Sequence, residues 1–470
     1  MSQNNKDQWG SNLGFLMAAV GSAVGLGNIW GFPYKMGANG GFAFLLVYLI
    51  LAIFIGFVIM FGELLLGRYS GKSVVGTYRQ LSEKYAIVGW MGFLSPLLIL
   101  GFYCSLGGYC LKYAFANLGD LFHASWGVNG LDGGTFFTNF ITSPVEASIW
   151  GAVFVVLTMI IVAGGVSGGI EKFSSVAMPA LFVMLCIVIV RACTLPGATE
   201  GLAFMFSPNM EPLKTSFIKV LSTAGGQMFF SLSLGMGIMI TYGSYLGKDE
   251  SLQKNSIVIV LSDTIIAIMA GMAVMPAVFA TGLEPAGGPG LLYMTLQNVF
   301  NAMGAVGPIF GFLFYFLVFI AAITSSISLL EVDAAVFIES SAKRGKALSR
   351  KAACLIAAVI VLIECLIVSC DGLGSNGLPQ PLGFCWLDFL DCWSEGIMMP
   401  LGALIMSLII GWQLGPKFIK EEQELGGHEW KAQGFCMICF KFIAPLGMLF
   451  ILLGQIHSFF PQLTFLNWLG

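Results

Sequence analysis

Charged side chains are scarce in this sequence. Asp, Glu, Lys and Arg account for 10% of the 470 residues, and the only three histidines, His123, His428 and His457, lie far apart. No nucleophile, base and orienting group occur together, so an enzyme is not predicted. No basic run with interleaved aromatic residues is present, which argues against nucleic-acid binding.

Polar stretches long enough for a water-soluble domain are also missing. Hydrophobic residues make up 57% of the chain and the mean hydropathy is +0.87, which is typical of a polytopic, all-α membrane protein. The first apolar run lacks an A-x-A-like cleavage site, so we interpret it as a retained span. Apolar runs predict eleven spans, near residues 12–34, 42–67, 87–118, 148–166, 173–194, 220–247, 255–282, 305–340, 352–370, 383–412 and 435–459.

Lysine and arginine are unevenly divided between the two predicted faces of the membrane. With a cytoplasmic N-terminus, all but five of the 22 cations lie on the cytoplasmic side, as the positive-inside rule requires. The five exceptions are Lys35, Lys112, Arg191, Lys214 and Lys219. We therefore expect a plasma-membrane protein whose N-terminus is cytoplasmic and whose C-terminus is extracytoplasmic.

Two of the predicted spans contain residues that interrupt helices. Residues 19–34 read AVGSAVGLGNIWGFPY, and residues 225–237 read GGQMFFSLSLGMG. The interruptions are five spans apart, so the halves cross the membrane in opposite senses, which predicts an inverted repeat with a binding site at the bilayer midplane. Unwound backbone supplies carbonyls to a cation and helix N-termini to an anion. Glycines that only allow close helix packing are the alternative explanation.

Several motifs carry a family resemblance along essentially the whole chain. They read GSAVGLGNIWGFPY in the first span, GELLLGRYSG at 62–71, GFYCSLGGY in the third span, GGIEKFSSVAMP entering the fifth, GGQMFFSLSLGMGIMITYGSYL in the sixth and AAITSSISLLEV in the eighth. With these motifs in this order, the chain resembles the neurotransmitter:sodium symporter family. The resemblance implies a leucine-transporter fold: eleven transmembrane helices in a 5+5 inverted repeat, with discontinuous helices 1 and 6 and one extra helix.

The expected organisation is a single transmembrane transporter domain over residues 1–470. Repeat one lies near 12–194, repeat two near 220–412 and the extra span near 435–459. The resemblance implies sodium-coupled transport of amino acids or amines across the lipid bilayer by alternating access. Small-molecule substrate and sodium are the expected partners, and the sequence gives no oligomeric state.

One sodium site is implied on the eighth span. Sodium prefers several hard oxygen ligands, and Ala321, Thr324 and Ser325 share one helix face through their i, i+3 and i+4 spacing. By resemblance they join the carbonyls of Gly21 and Val24. Threonine and serine hydroxyls that merely bond back to their own helix are the alternative.

A second sodium site is implied on the Ala23 carbonyl, the Asn28 side chain, Ser231 and Asp263. Asp263 lies in the apolar run VIVLSDTIIAIMA, where an acidic side chain is costly and usually functional. Many relatives carry asparagine at this position. A neutral, hydrogen-bonded aspartic acid is the alternative to a charged sodium ligand.

The same resemblance bears on chloride. Animal members bind chloride near this sodium site through ligands that match Tyr48, Gln227 and Ser231. Chloride-independent bacterial members instead place an acid nearby, at the position of Ala267 in this sequence. Asp263 could supply that negative charge from one turn away, so we expect two sodium ions and no chloride.

The substrate pocket follows from the resemblance as well. The N–H groups of Leu26 and Gly27 at a broken helix end and the Tyr103 hydroxyl suit a carboxylate. Gly25 indicates an amino acid, because amine transporters have an aspartate there. Met236 replaces the phenylalanine of the leucine transporter and favours neutral hydrophobic substrates, with aromatic ones an open possibility. Further predicted contacts are Ala23, Phe230, Ser233, Ser325 and Ser326 for the ammonium group, and Ile99, Phe230, Met236, Ser326 and Leu329 for the side chain.

The predicted outer gate departs from the family pattern. Relatives pair an arginine on the first span with an aspartate on the tenth; Asp391 matches the aspartate, but Gly31 replaces the arginine. Lys35, one turn away, is either a substitute or a lysine that snorkels to the membrane surface. The inner gate is expected at Lys6, Trp9, Tyr245 and Glu339.

Two more acidic residues lie inside predicted spans. Glu63 matches a family glutamate that braces the broken first and sixth spans, whereas Glu364, in VLIECLIV, corresponds to no functional position that we recognise in the family.

Two other functions stay open from the sequence. One is a membrane sensor that keeps the fold without transporting; the other is a transporter of a different small zwitterion or amine, favoured by Gly31 and opposed by Gly25.

Overall fold

The described residues form helices and no strand. The computed structural model describes residues 8–282, 290–463 and 466. An all-helical chain is what the apolar composition requires, because a helix satisfies its own backbone N–H and C=O groups where no water is available. Nine helices are long and apolar enough to cross a membrane within the described ranges, and one bent helix pair raises the number to ten.

The described part of the first half of the chain contains eleven α-helices. They are α1 (Asn12–Ala23), α2 (Phe32–Ala38), α3 (Phe42–Leu51), α4 (Phe57–Ser70), α5 (Val74–Leu81), α6 (Ala86–Leu121), α7 (Gly133–Ile141), α8 (Pro144–Ala163), α9 (Lys172–Cys193), α10 (Ala198–Phe206) and α11 (Glu211–Thr215). A π-helical turn, Ala52–Gly56, joins α3 to α4 in one continuous span.

The second half also contains eleven within the described residues. They are α12 (Phe217–Ser231), α13 (Ile238–Gly243), α14 (Leu252–Ala280), α15 (Leu296–Ala302), α16 (Gly307–Lys343), α17 (Arg350–Asp371), α18 (Trp386–Asp391), α19 (Met399–Leu408), α20 (Gly415–Gln423), α21 (Gln433–Ile438) and α22 (Ala444–Phe459). The stretches Cys392–Met398 and Ile409–Leu414 continue α18 through α20 as one span.

Each predicted span coincides with helix in the structure. The sixth is split into α12 and α13, neither of which is long enough to span alone. The count of eleven spans holds only if these two helices are one broken span, so it stays a prediction. The inverted repeat and the sidedness of the termini also stay predictions.

Both predicted interruptions are breaks in helix. The first span bends by 45° between α1 and the segment Gly27–Ala38, because Val24 leaves the helical region with ψ 92°. Between α12 and α13, the backbone has positive φ at Ser233 (55°), Gly235 (76°) and Gly237 (72°). A serine in the left-handed region is unfavourable, so its surroundings must hold it there.

Glycines let the central helices approach closely. The long helices α6 and α16 pack along each other, and α8 and α17 pack against both of them. A Cβ atom on Gly108 of α6 would lie 2.6 Å from the backbone nitrogen of Gly151 on α8. In the same way, a Cβ on Gly67 of α4 would lie 2.1 Å from the backbone oxygen of Ile240 on α13. The second half of the broken sixth span is thereby fixed against α4.

The Gly67 contact gives a stability prediction. Gly67→Ala should lower the apparent melting temperature of the purified protein, because the new methyl group meets backbone and overpacking typically costs about 1–3 kcal/mol. Gly434→Ala is the matched control, since a Cβ atom on Gly434 would meet no neighbour within 4 Å and alanine favours helix. The measurement is thermal unfolding in detergent. Equal melting temperatures for the two variants would contradict this packing.

Candidate functional site

A cavity lies where the two helix breaks face α6 and α16. It has a free volume of about 20 Å³, and its lining residues are Ser22, Ala23, Gly25, Gly27, Ile99, Tyr103, Phe230, Ser233, Met236, Ile238, Ser325 and Leu329. Every predicted substrate contact except Leu26 and Ser326 is among them. The structure therefore brings together side chains from five helices and two breaks that are far apart in sequence.

One end of the cavity presents polar groups. The backbone N–H of Leu26 donates to the Tyr103 hydroxyl at 3.1 Å, so Leu26 lies next to the cavity although it does not line it. A Cβ atom on Gly25 would lie 2.3 Å from Ser325 Oγ and 2.6 Å from Tyr103 Oη. Contacts under 3.0 Å require a neighbour to shift, so no larger residue fits at Gly25 without rearrangement.

The other end of the cavity is apolar. Ile99, Met236 and Leu329 are buried, and the rings of Tyr103 and Phe230 lie 6.4 Å apart, tilted by 51°. A Cβ on Gly27 would approach the Phe230 ring to 2.9 Å. This end suits an uncharged side chain.

Ser326 does not line the cavity. Its hydroxyl contacts Thr158 Oγ1 on α8 at 2.8 Å and donates to the Ile323 carbonyl at 3.0 Å. The predicted side-chain pocket thus has no hydroxyl from Ser326. The sequence could not reveal this, because the partner on α8 belongs to none of the recognised motifs.

Ser22 and Ile238 line the cavity but were not predicted. Ser22 Oγ contacts Ser328 Oγ at 2.7 Å and donates to Ser233 Oγ at 3.2 Å, and Ser233 Oγ donates to the Ser22 carbonyl at 2.9 Å. These contacts join the two breaks to α16. The signal was available, since Ser22 lies within the GSAVG run and Ile238 directly follows GMG.

Oxygen atoms converge between the end of α1 and α16. Ser325 Oγ lies 3.4 Å from the Gly21 carbonyl, 2.9 Å from that of Ser22 and 3.3 Å from that of Ala321. Thr324 Oγ1 lies 2.9 Å from the Ala321 carbonyl. Val24 follows α1 directly, in the extended backbone of the break. This donor set of carbonyl and hydroxyl oxygens without a full charge fits a monovalent hard cation.

A second polar cluster surrounds the fully buried carboxylate of Asp263. Asn28 Nδ2 donates to Asp263 Oδ1 at 2.7 Å, and Asn28 Oδ1 accepts from the Gly25 N–H at 3.1 Å. Ser231 Oγ lies 3.0 and 3.1 Å from the two carboxylate oxygens, and Tyr48 Oη donates to Oδ2 at 3.1 Å. Ala23 is the last residue of α1, directly before the break. The predicted side chains of the second sodium site are therefore in mutual contact.

The backbone between the breaks is held by two further side chains. Glu63 Oε1 accepts from the Gly235 N–H at 2.6 Å, and Gln227 Nε2 donates to the Gly27 carbonyl at 2.7 Å. Both side chains are buried. Glu63 satisfies a backbone N–H that a continuous helix would have paired internally, whereas Gln227 adds a second donor to a carbonyl that also accepts from the Phe32 N–H.

A larger cavity of about 310 Å³ lies on the predicted outer side of the site; we call it the vestibule. Gly31, Lys35, Asp388, Asp391 and Glu395 are among its lining residues. Lys35 Nζ pairs with Glu395 Oε1 at 3.3 Å, and both side chains are largely buried. Asp391, which matches the family aspartate, lines the same cavity. Lys35 therefore pairs with the acid one helical turn beyond Asp391.

On the predicted inner side, aromatic and charged residues close over the break. Trp9 Nε1 donates to the Tyr242 carbonyl at 3.1 Å, and its ring lies 6.3 Å from that of Tyr245. Tyr245 Oη donates to Glu331 Oε1 at 2.6 Å, and Glu331 also pairs with Arg350. We call this group the inner latch.

The predicted inner-gate residue Glu339 has other partners. Glu339 pairs with Lys343 at 2.6 Å and accepts from the Ser73 N–H at 2.7 Å, so it is Glu331, eight residues earlier, that meets Tyr245. Glu331 and Glu339 are about two turns apart on α16, which separates them by about 12 Å along the helix. Lys6 lies outside the described residues.

Comparisons with known proteins agree with this arrangement. The sequence model of the sodium:neurotransmitter symporter family matches residues 6–128 and 141–469. YhdH, an uncharacterized sodium-dependent transporter of Bacillus subtilis (strain 168), is 36% identical over 465 residues, which cover 97% of this chain and 99% of YhdH. An uncharacterized sodium-dependent transporter of Haemophilus influenzae is 33% identical over 472 residues, covering 97% of this chain and all of the relative. A further match is the crystal structure of MhsT in complex with L-phenylalanine. MhsT is 38% identical to this chain in sequence, and the two structures are similar with a TM-score of 0.86; the match covers 96% of this chain and 100% of that chain.

The inner latch gives a prediction about conformational dynamics. Tyr245→Phe removes the hydroxyl that bonds to Glu331, so the segments around Trp9 and α13 should exchange backbone hydrogen for deuterium faster, because local opening becomes less costly. Tyr69→Phe is the control, since Tyr69 is exposed and contacts Phe418 through its ring. Equal exchange in the two variants, measured by mass spectrometry, would show that the latch does not hold this side closed.

Proposed function

Because the chain belongs to the sodium:neurotransmitter symporter family, it is a sodium-dependent transporter, and we propose that it carries neutral hydrophobic L-amino acids, aromatic ones included. Two sodium ions drive the symport, chloride is not required, and the protein works by alternating access. The vestibule admits the solutes, the site closes around them, and the inner latch opens to release them into the cell.

The crowding at Gly25 carries the substrate proposal. The space that an aspartate would need to meet a substrate ammonium is filled by Ser325 and Tyr103. The same two hydroxyls, with the N–H of Leu26, suit a carboxylate that the substrate brings itself. A zwitterionic amino acid satisfies this site, whereas a simple amine leaves its donors unpaired, which is expensive in a buried pocket.

The apolar end supports a hydrophobic side chain. Phe230, Ile99 and Leu329 offer no polar group there, and MhsT, the similar protein of known structure, was crystallised with L-phenylalanine. The free volume of about 20 Å³ holds roughly one water molecule, so side chains must move when an amino acid enters. Met236 is suited to this because an unbranched thioether adapts its rotamers easily.

Two oxygen clusters support two sodium ions. The first cluster supplies neutral oxygens and consists of Gly21, Val24, Ala321, Thr324 and Ser325. The cluster of Ala23, Asn28, Ser231 and Asp263 adds a carboxylate. Both clusters include residues that line the substrate cavity or adjoin it. Sodium binding and substrate binding are therefore coupled through the same helix breaks.

Asp263 supports chloride independence. The hydroxyls of Tyr48 and Ser231, which match chloride ligands of animal relatives, both donate to the Asp263 carboxylate. The carboxylate therefore takes the hydrogen bonds that an anion would receive, and it supplies a fixed negative charge beside the sodium ion. A second anion at the same place would be repelled.

Ligand-dependent stability tests the substrate class. The purified protein should be stabilised by hydrophobic and aromatic amino acids in sodium but not in potassium, by about 2.7 kcal/mol at a ligand concentration one hundred times Kd. Gly25→Ala should remove this stabilisation, and Gly434→Ala should keep it. Thermal shifts with amines alone would refute the proposal; sodium-dependent binding without uptake into proteoliposomes would indicate a sensor.

Replacing Asp263 tests the chloride proposal. Wild-type uptake should be equal in chloride and in gluconate, whereas Asp263→Asn should lose uptake in gluconate and regain part of it in chloride. The physical reason is that the neutral amide leaves Tyr48 and Ser231 available to an anion. Asp249→Asn, at an exposed position, should behave like the wild type. Chloride dependence of the wild type, or no chloride effect in an Asp263→Asn protein that still binds sodium, would contradict the assignment.

A further inference from the structure

A third cavity opens at the edge of the helix bundle, between α8, α9 and α16. Its free volume of about 620 Å³ exceeds that of the vestibule. Gly164, Lys172, Met184 and Ile320 are among its lining residues, and we call this cavity the inner groove. None of its described lining residues belongs to the substrate cavity or to either oxygen cluster.

The inner groove faces the lipid. Two of its walls belong to the spans Pro144–Ala163 and Val166–Cys193, and only 33% of the most apolar 18-residue window of each is buried within the protein. The other seven single candidate spans of the described ranges are 44–72% buried. Ile160 and Val176, which line the groove, are 59% and 72% exposed. Because apolar side chains exposed at this depth contact hydrocarbon tails, a lipid tail is the occupant that the surroundings supply.

The depth of the groove matches one leaflet of a bilayer. Lys172 is the first residue of α9, on the predicted cytoplasmic side, and Met184 lies twelve residues later, about 18 Å along the helix axis. One leaflet contributes about 15 Å to the hydrocarbon core. At the deep end, the carbonyl of Ile320 accepts from the Thr324 hydroxyl at 3.1 Å, beside the first oxygen cluster. The groove therefore runs from the membrane boundary to the level of the proposed sodium sites, over the length of one lipid tail.

Two neighbouring glycines shape the cytoplasmic end of the groove. A Cβ atom on Gly169 would lie 2.0 Å from the Ile161 carbonyl oxygen, so Gly169 lets the π-helical turn Val166–Glu171 contact the end of α8. A Cβ atom on Gly168 would meet no neighbour within 4 Å. Gly168 therefore borders open space four residues before Lys172, and the groove stays open at the end where a lipid tail enters.

The charge at this end favours an anion. Among the described residues that line the groove only Lys172 is charged, and it is exposed. The adjacent acid, Glu171, is engaged by the residues that precede α1: it accepts from the Gly10 N–H at 2.7 Å and from the Ser11 hydroxyl at 3.0 Å. The span that forms one wall also begins at this end, and a helix N-terminus carries a partial positive charge.

We propose that the inner groove is a binding site for an anionic phospholipid of the cytoplasmic leaflet, with one acyl chain along α9 and the phosphate group at the Lys172 ammonium group. The acyl chain contacts the apolar walls, while the lysine reaches the headgroup at the membrane boundary. Basic positions between transmembrane helices on the cytoplasmic side recognise anionic headgroups in this way. A zwitterionic lipid brings a cation together with its phosphate, so the lysine favours the anionic lipid. The site is independent of the proposed substrate and ions.

Photoactivatable phospholipids test the site. Two probes have the same tails, with a diazirine at the end of one acyl chain, and differ only in the headgroup, which is phosphatidylglycerol or phosphatidylcholine. Each probe is added as a trace to the full-length protein in phosphatidylcholine nanodiscs. Light expels N₂ from the diazirine, and the resulting carbene inserts into a neighbouring C–H bond of the protein. Peptide mass spectrometry then locates the adducts.

We expect the anionic probe to label the deep end of the groove, near Met184 and Ile320, about fivefold more than the zwitterionic probe, because one lysine beside an anionic headgroup contributes about this factor. Ile149 of α8 is the internal reference, since it is exposed on the predicted outer side. The cation at that side, Lys112, pairs with Glu146 at 2.7 Å. The two probes should therefore label Ile149 equally.

Lys172→Gln tests the headgroup contact. The neutral amide should abolish the preference for the anionic probe. Lys417→Gln is the matched control, since Lys417 on α20 is also an exposed cation, and it should keep the preference. Equal labelling of the wild-type groove by the two probes would overturn the proposal, and so would a preference retained in Lys172→Gln protein that melts like the wild type.

Gly168→Leu tests the groove itself and stays informative if Lys172→Gln does not fold. The new side chain enters open space, so it should leave the melting temperature unchanged and reduce labelling of Met184 and Ile320 severalfold with both probes. Gly434→Leu is the control, because a Cβ atom there also meets no neighbour within 4 Å, and its labelling should match the wild type. Undiminished labelling in Gly168→Leu would show that the lipid lies outside the groove and would refute the assignment.

Discussion

The structure depends on how buried backbone groups are satisfied where two spans are broken. Within a bilayer each unpaired N–H or C=O costs several kcal/mol, so a break persists only where side chains take over the missing helical bonds. Glu63 does so for the Gly235 N–H. Gln227 gives the Gly27 carbonyl, which already accepts from the Phe32 N–H, a second donor. The candidate site is built from the groups that remain beside the breaks.

The breaks could be predicted from sequence because glycine, asparagine and proline are conspicuous in apolar runs, whereas most of the cavity lining was implied by the family resemblance. Ala321, Thr324 and Ser325 could be grouped because helix geometry fixes which residues share a face. The direction of Ser326 could not be predicted, since Thr158 on another helix determines it. The bond from Tyr245 to Glu331 could not be predicted either, because α16 carries several acids and only the packing of α13 selects this one.

Gln227 lies beside the position of the family arginine. A Cβ atom on Gly31 would lie 2.9 Å from Gln227 Oε1, an enclosed atom with no hydrogen-bond partner among the described residues. A longer side chain at Gly31 would therefore require the end of the Gln227 side chain to shift. Lys35, one turn further along, pairs with Glu395. From sequence alone its pairing with Glu395 could not be distinguished from a lysine that reaches the membrane surface.

The vestibule also has an electrical consequence. Three acids, Asp388, Asp391 and Glu395, line it together with one lysine, Lys35, so its walls carry more negative than positive groups. A concave, low-dielectric surface of one sign focuses the field and raises the local concentration of counter-ions. This field enriches cations such as sodium at the mouth of the proposed sodium sites and depletes anions there. Mobile ions screen this field within about 8 Å at physiological ionic strength. The enrichment of cations therefore weakens at high ionic strength and strengthens at low ionic strength.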